Sequence, residues 1–364
     1  MKLFRCRVCD NIIYFENRTC GRCGHRLGYV PELEIMAALE PAGGEAWAPV
    51  AGDGGPRRFC ANAGHDVCNW LMAAESQERL CVACRHNDTI PDISRPSHLV
   101  AWREIELAKH RLFYSLLRWK LPLATRAEDP SHGLAFEFLA DPHPSGPRVM
   151  TGHDDGVVTI ALAEADSAEI ERRRAELAEP YRSLLGHFRH EIGHHYWDIL
   201  VRDGGKLDEC RAIFGDDSRN YEAALKRHYE HGAPAGWPER FVSAYAASHP
   251  WEDFAETWAH YLHIVDTLET ANAFGVRIAP SVDKEGAHFA KLNFDPYADG
   301  SIERIVEAWA PFVVAMNSVN RAMGRPDLYP FVIAPAVVQK LRFIHDLVRG
   351  AARCVTLPPG AKAA

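Results

Sequence analysis

The sequence predicts an α+β protein in which a cysteine-rich N-terminal third precedes a mostly helical remainder with a small β-sheet. Eight of the ten cysteines lie before residue 85, which separates these two parts. From residue 97 to about 121, and through most of residues 168–352, apolar side chains recur at steps of three and four, as in amphipathic helices. Residues 134–139 and 157–162 instead show the apolar and β-branched runs that are typical of strands.

The composition disfavours several classes of protein. Of the 364 residues, 47% are hydrophobic and 25% are charged, as in a globular chain of two or more domains. The net charge of −8 argues against nucleic acid or anionic lipid as the main partner. The longest apolar stretch, near residues 309–316, is too short for a bilayer, and the first residues lack a signal-peptide core. We therefore expect a cytoplasmic protein without membrane contact.

The first cysteine cluster consists of two CxxC pairs ten residues apart, Cys6, Cys9, Cys20 and Cys23. In a reducing compartment such cysteines more often hold metal than form disulfides or a redox pair. Each CxxC makes a tight turn that presents two sulfurs, and Gly21 and Gly24 permit the positive φ values that such turns need. Residues 1–40 are therefore predicted to be a zinc ribbon with a four-cysteine site, and residues 12–15 one of its strands.

The second cysteine cluster lies in residues 57–95, after a Gly-, Pro- and Ala-rich linker at 41–56, and contains Cys60, Cys68, Cys81 and Cys84. The downstream CxxC has zinc-site spacing, whereas the upstream pair is more loosely spaced. We predict a second structural zinc site, in which His65 could replace one thiolate. The alternative is one CxxC pair beside two ordinary buried cysteines. Cys210 and Cys354 are assigned no role beyond packing.

Residues 190–194 form the motif HExxH on a predicted helix that begins near Pro180. The spacing of four puts the imidazoles of His190 and His194 on one helix face, where they can bind a single zinc ion. Glu191 can then reach a zinc-bound water as general base. A stripe of histidines beside a buried apolar stripe costs free energy unless something binds it.

The third ligand distinguishes among zinc hydrolases with this motif. The extended motif HExxHxxGxxH is absent, because Trp197 and Leu200 occupy its glycine and second-histidine positions. A predicted helix after residue 250 supplies Glu252, which can complete a site of two histidines and one glutamate with one position open for water. Glu256, one turn later, can accept the other N–H of a ligand histidine. The competing interpretation is a solvated acidic helix start.

These motifs resemble those of the lethal-factor-like gluzincins, in which a second motif supplies a glutamate ligand and a supporting glutamate four residues later. More broadly, the chain from Cys6 to about Val348 resembles a bacterial family of zinc-binding metallopeptidases with an N-terminal zinc ribbon. The matching stretches are residues 60–62, 68–70, 186–191, 252–256 and 327–331. The resemblance implies a zincin-like metallopeptidase domain, which we place at residues 96–350, and Tyr245, seven residues before Glu252, as oxyanion donor.

The sequence thus predicts a zinc-dependent hydrolase that cleaves an amide bond in a peptide or in another amide substrate. One catalytic and two structural zinc ions are expected. Residues 207–214 and 218–231 are predicted to form extra helices that wall or cover the cleft, unless they pack on its back. Residues 351–364 are expected to be a flexible tail.

The alternative function is a binding or scaffold protein whose HExxH site is structural or inactive. Its ribbons would bind a protein or nucleic acid, and a protein partner is the one we expect. Basic side chains crowd the first ribbon, at Lys2, Arg5, Arg7, Arg18, Arg22, His25 and Arg26. Loss of hydrolysis in Glu191→Gln with zinc retained would favour the enzyme, and salt-dependent nucleic-acid binding would favour the binding protein.

Overall fold

The computed structural model describes residues 1–52, 54–143, 146, 148–166 and 183–355, with side chains as far as residue 351. The chain divides into two compact units. The first comprises Met1–Leu117 and Ala124–Glu171, and the second comprises Arg118–Leu123 and Arg172–Ala364. The first unit therefore includes the long helix and the sheet that follow residue 96, which the sequence assigned to the metallopeptidase domain.

The first unit contains three sheets and helix α1 (Pro96–Arg118), except for the last residue of that helix. The strands, in chain order, are β1 (Phe4–Arg5), β2 (Ile12–Ile13), β3 (Arg26–Val30), β4 (Ile35–Pro41), β5 (Trp47–Pro49), β6 (Arg57–Phe59), β7 (Leu71–Ala73), β8 (Asn87–Thr89), β9 (Ala135–Leu139), β10 (Gly152–Asp154) and β11 (Val157–Ala161). Strands β1 and β2 form a short hairpin, and β3 to β7 form an antiparallel five-stranded sheet in sequence order. The third sheet has the order β10-β11-β9-β8, in which β8, β9 and β11 are parallel.

A cluster of buried aromatic rings explains why α1 belongs to the cysteine-rich unit. Phe15 follows the first hairpin, Tyr29 lies in β3, Trp70 precedes β7, and Tyr114 lies in α1. The ring centroids of Phe15 and Tyr114 are 5.4 Å apart, and those of Tyr29 and Trp70 are 5.1 Å apart. Large aromatic rings contribute much of the free energy of a core. This cluster ties the hairpin, the five-stranded sheet and α1 together.

The predicted linker at residues 41–56 differs from what the structure shows. Its middle forms β5, which pairs with β4 and β6. Trp47 of β5 packs edge-on against Phe59 of β6, with centroids 5.7 Å apart, and adjoins a core of Val30, Leu39 and Leu71. One aromatic side chain therefore anchors a segment whose glycines and prolines suggested a linker.

The second unit contains the remaining helices of the described residues. They are α2 (Leu184–Tyr196), a π-helical turn (Trp197–Arg202), α3 (Leu207–Phe214), α4 (Tyr221–His231), α5 (Pro250–Ala273), α6 (Ile302–Ala322) and α7 (Pro335–Val355). A two-stranded sheet of β12 (Arg277–Ile278) and β13 (Ala290–Lys291) follows α5. Helix α7 continues to residue 355, so residues 351–355 of the predicted tail are helical, and 356–364 lie outside the described residues.

Helix α5 is the centre of the second unit, and α2, α3, α6 and α7 all pack against it. It is buried on nearly every face, and its buried residues include titratable side chains as well as apolar ones. The titratable side chains can be buried because they pair with other groups inside the protein. Its start is as predicted: Pro250 occupies the first turn, and the His249 side chain accepts a hydrogen bond from the Trp251 backbone N–H at 3.1 Å.

The observed elements confirm the predicted α+β class, with cysteine-rich modules before a mostly helical remainder. Helix α2 begins at Leu184, where the Ser183 hydroxyl accepts a hydrogen bond from the Gly186 N–H at 3.0 Å. The predicted start near Pro180 lies outside the described residues. None of the described helices is both long enough and apolar enough to cross a membrane.

Candidate metal centres

The first cysteine cluster lies at the β1–β2 hairpin and the turn that follows it. The sulfurs of Cys6 and Cys23 are 3.6 Å apart, as are those of Cys9 and Cys20. All four cysteine sulfurs lie within 4.8 Å of one another. Tetrahedral zinc with Zn–S bonds of about 2.3 Å needs sulfurs about 3.8 Å apart. The predicted cysteines are therefore grouped as a four-thiolate site requires.

The two turns of this cluster are equivalent. The residue after each second cysteine has positive φ: Asp10 has φ of 58° and Gly24 has φ of 76°. The expectation for Gly24 is met, whereas Gly21 is not among the glycines with positive φ. Backbone N–H groups of Cys23 and Arg22 outweigh burial and lower the pKa of the Cys20 thiol to about 6. Such N–H donors favour the thiolate that binds metal.

The second cluster is buried, and its four sulfurs also lie within 4.8 Å of one another. The Trp70 backbone N–H donates to Cys68 Sγ at 3.3 Å, and the Cys81 N–H donates to Cys60 Sγ at 3.4 Å. The alternative of two ordinary packed cysteines does not account for all four sulfurs meeting. His65, the possible substitute ligand, is exposed, and its ring centroid lies 6.0 Å from that of Trp102.

The third group of ligand atoms joins α2 to α5 in the second unit. His190, His194 and Glu252 each place one ligand atom within 4.8 Å of the other two. Oε2 of Glu252 lies 3.0 Å from Nε2 of His190 and 3.6 Å from Nε2 of His194. Glu252 is buried, and its Oε2 forms no hydrogen bond with the described residues. A buried carboxylate oxygen between two imidazole nitrogens fits a zinc ion, which takes this set of ligands in hydrolytic sites.

Helices α2 and α5 come this close because Gly193 lies at their crossing. A Cβ atom at residue 193 would lie 3.0 Å from the Ala255 Cα and 3.3 Å from the Trp258 Cβ. Residue 193, a variable position of the HExxH motif, is therefore constrained by packing in this protein. The small residues at 193 and 255 let the helix axes approach, and the approach brings Glu252 to the two histidines.

Glu256 holds His190 from the side opposite Glu252. Its Oε1 lies 2.8 Å from Nδ1 of His190, and its Oε2 accepts a hydrogen bond from the Ser243 hydroxyl at 2.6 Å. With Nδ1 donating to Glu256, Nε2 of His190 points to Glu252. The solvated-helix-start interpretation is wrong for both glutamates, since Glu252 is buried and Glu256 is largely so.

The charges of the group are strongly coupled. Burial alone would lower the pKa of His190, but the carboxylates of Glu252 and Glu256 raise it well above its ordinary value. Burial alone would raise the pKa of Glu252, but the nearby His194 and His190 lower it well below its ordinary value. A cation is thus favoured beside Glu252, either as a proton on histidine or as a metal ion.

Two further predicted residues lie beside this group. Glu191 follows His190 on α2 and is half-buried. Tyr245 lies in a short 3₁₀ turn, Tyr245–Ala247, and its ring centroid is 6.0 Å from that of His190.

Sequence reasoning missed three residues of the site. The Tyr221 hydroxyl, at the start of α4, donates to Oε1 of Glu252 at 2.5 Å. The Trp251 ring lies over that of His194, with centroids 3.8 Å apart, and Ser243 supports Glu256. The segment between His194 and Glu252 therefore contacts the candidate ligands, and Tyr221 makes its contact from one of the two predicted extra helices. No motif in the sequence marks these residues. Tyr221 and Trp251 are distant in sequence from the residues that they contact, and a serine such as Ser243 is too common a residue type to attract notice.

Comparison with known proteins shows the family of the chain. Residues 98–347 match the model of a family described as "Putative zinc-binding metallo-peptidase". The chain belongs to this family. Residues 3–95 match a zinc-ribbon domain model, so the resemblance to zinc-binding metallopeptidases with an N-terminal zinc ribbon is confirmed.

Relatives in two mycobacterial species align over nearly the whole chain. Uncharacterized proteins of Mycobacterium bovis and of two strains of Mycobacterium tuberculosis are 42% identical over 351 residues, which cover 96% of this chain and 95% of each relative. No solved structure matches the chain.

Proposed function

We propose that this protein is a zinc-dependent amide hydrolase of the gluzincin kind, in which His190, His194 and Glu252 hold the catalytic zinc. The observation that carries the proposal is the buried Oε2 of Glu252, which faces Nε2 of both histidines without a hydrogen bond of its own. Membership of the metallopeptidase family supports the same reaction class. Two cysteine clusters would hold the structural zinc ions.

Each residue has a distinct role in the proposed reaction. Zinc, when bound, would supply a Lewis acid and would lower the pKa of a water ligand to about 7. Glu191 takes the proton of the attacking water and passes it to the leaving nitrogen. Tyr245 donates to the developing oxyanion, as the resemblance to lethal-factor-like gluzincins implies. Glu256 fixes the tautomer of His190.

Zinc content tests the site first. We expect three zinc ions per chain by elemental analysis, and two in the His190→Ala/His194→Ala variant. Two ions in both proteins, unchanged after zinc is added back, would overturn the proposal. The His187→Ala variant is the control, because it changes a histidine of α2 that is outside the ligand group.

Hydrolysis is tested with a peptide library made by digesting a denatured proteome, with cleavage read by mass spectrometry. The parent protein should generate new peptide termini, and Glu191→Gln should not, although it keeps three zinc ions. New termini of equal yield with Glu191→Gln would contradict its role as general base.

The binding-protein alternative depends on the charge that the first zinc ribbon presents to a partner. Three of the basic residues on the first ribbon face acids: Lys2 lies 3.1 Å from Glu34, and Arg18 lies 3.0 Å from Asp66. Arg5 lies 3.6 Å from Asp10. These pairs reduce the positive charge available to phosphates, so we favour a protein partner for the ribbons over nucleic acid. Salt-dependent binding of the full chain to duplex DNA or RNA would contradict this preference.

A further inference from the structure

The second cysteine cluster has a fifth neighbour that could bind metal, His110 of helix α1. Its Nε2 lies 3.3 Å from Cys68 Sγ and 3.7 Å from Cys84 Sγ. His110 is buried, with 4% of its surface exposed. No sequence motif marks His110 as a ligand, because it lies 42 residues after Cys68 and belongs to an otherwise ordinary amphipathic helix.

The ring of His110 is oriented as a metal ligand is. Its Nδ1 lies 2.6 Å from the backbone carbonyl oxygen of Glu106, one turn earlier in α1. A carbonyl oxygen can only accept, so Nδ1 carries the hydrogen and Nε2 is the atom that faces the sulfurs. Metal-binding histidines usually donate their other N–H to a backbone carbonyl or carboxylate in this way.

The distances also fit a shared coordination sphere. Ligand atoms of tetrahedral zinc with sulfur and nitrogen lie about 3.5–3.8 Å apart. The Cys68 and Cys81 sulfurs are 3.8 Å apart, and the two distances from His110 Nε2 to sulfur fall near the same range. Besides the four sulfurs, His110 Nε2 and Glu106 Oε2, which lies 3.8 Å from Cys84 Sγ, are therefore possible donors where zinc takes four.

We propose that the second cluster binds metal through Cys60, Cys81 and Cys84 together with either Cys68 or His110. Cys68 is the exchangeable sulfur because it is the one nearest to His110. Both side chains also line a surface cavity of about 290 Å³ that includes Asn69 and Arg103, whereas Cys60, Cys81 and Cys84 do not line it. This inference is independent of the proposed hydrolytic function.

Charge lowers the free-energy cost of replacing Cys68 by His110. Zinc with four thiolates carries two negative charges. When the Zn–N bond to His110 replaces the Zn–S bond to Cys68, the released Cys68 thiolate takes a proton from solvent in the cavity that it lines, and the site of three thiolates, one thiol and a neutral imidazole carries one negative charge. The neighbouring Lys109 and Glu106, with Nζ and Oε1 3.0 Å apart, are fully buried and nearly cancel each other. A buried site with less net charge has a smaller desolvation cost, which compensates for the lost Zn–S bond.

The test compares cysteine variants of the full-length chain by zinc content and zinc affinity. Cys68→Ser should keep the same number of zinc ions as the parent and lose about tenfold or less in affinity at this site. Cys81→Ser should lose affinity on the order of 10²-fold or more, because no other donor replaces it. The Cys68→Ser/His110→Leu double variant should lose as much zinc affinity at this site as Cys81→Ser does. His86→Leu in the Cys68→Ser background is the control, since His86 is also buried with Nδ1 3.0 Å from a backbone oxygen, that of Leu134.

Cobalt substitution reads the ligands directly and needs no double variant. Replacement of Cys68 should reduce the sulfur-to-cobalt charge-transfer absorption of this site by about one quarter, because four Co–S bonds become three, while tetrahedral d–d bands persist. His110→Leu alone should leave the four-sulfur spectrum unchanged. Equal loss of zinc by Cys68→Ser and Cys81→Ser would overturn the proposal, as would full retention of zinc by the Cys68→Ser/His110→Leu variant.

Discussion

Nδ1 of His190 lies 2.8 Å from Oε1 of Glu256, 66 residues later in the chain. Ser243 holds the second oxygen of the same carboxylate at 2.6 Å. The proposed zinc ligand on α2 is therefore oriented by α5, the helix that also provides Glu252. This arrangement makes the geometry of the site depend on the packing of two helices.

Replacement of Glu256 should weaken zinc binding without removing a ligand. We expect Glu256→Ala to lower zinc affinity about 10–100-fold, because His190 loses the acceptor that fixes its tautomer. Glu256→Gln should lower zinc affinity less than Glu256→Ala does, because the glutamine amide oxygen can still accept a hydrogen bond from Nδ1 of His190. Chelator competition measures both, and the affected ion must be the one that His190→Ala removes. Equal affinity in parent and Glu256→Ala would show that the hydrogen bond does not orient the ligand.

The two tyrosines of the site should behave differently. Tyr221 donates to Oε1 of Glu252, so Tyr221→Phe should weaken zinc binding, by up to about tenfold. Tyr245→Phe should leave zinc affinity unchanged and lower kcat about 10²-fold, as expected for loss of one oxyanion donor. The measurements are chelator competition and turnover of a substrate peptide found in the library screen. A normal kcat with weakened zinc binding in Tyr245→Phe would reassign that residue.

The close approach at Gly193 predicts sensitivity to a single methyl group. Gly193→Ala should lower the free energy of unfolding by about 1–3 kcal/mol, because its Cβ would lie 3.0 Å from the Ala255 backbone. Gly350→Ala is the matched control: it lies in α7 with no atom within 4 Å of an added Cβ. It should raise stability by about 0.5–1 kcal/mol. Urea unfolding of both variants checks the difference, and equal effects would argue against a packing constraint at residue 193.

The buried pair of Asp253 and Lys340 predicts a pH-dependent mutational effect. Their Oδ2 and Nζ atoms are 2.6 Å apart, yet burial outweighs Lys340 and raises the pKa of Asp253 to about 7. Between about pH 4 and 7 the folded protein therefore keeps a proton that the unfolded chain has lost, so this group's contribution to stability falls as pH rises. Removing the lysine charge should raise the pKa of Asp253 further and extend the decline above pH 7.

Lys340→Met should consequently lower the free energy of unfolding by about 3–5 kcal/mol at pH 8.5. The loss should be smaller at pH 5.5, where Asp253 can be protonated. Urea unfolding at both pH values, with zinc in excess, measures this. The Asp253→Asn/Lys340→Met double variant carries neither charge and should show no such difference between the two pH values. A cost for Lys340→Met that is the same at pH 5.5 and 8.5 would contradict the assignment.

Much of the helical architecture follows from local signals. Helix α3 spans residues 207–214 as predicted, and α5 starts at Pro250, because caps and apolar periodicity act within a few residues. The five-stranded sheet was not predicted. Its strands are short, between three and seven residues, and β5 lies in a segment rich in glycine and proline. Such strands are stabilised by pairing with distant segments, which leaves little pattern in the sequence.

Residue spacing alone predicts the local chemistry: the CxxC pairs, the two histidines one helical turn apart, and the glutamates one turn apart after Pro250. These follow from backbone geometry over four or five residues. The distant groups that contact these residues depend on the folded chain: Tyr221 contacts Glu252, 31 residues away, and His110 contacts Cys68. Such contacts arise from the packing of whole helices and sheets, and no local pattern encodes them.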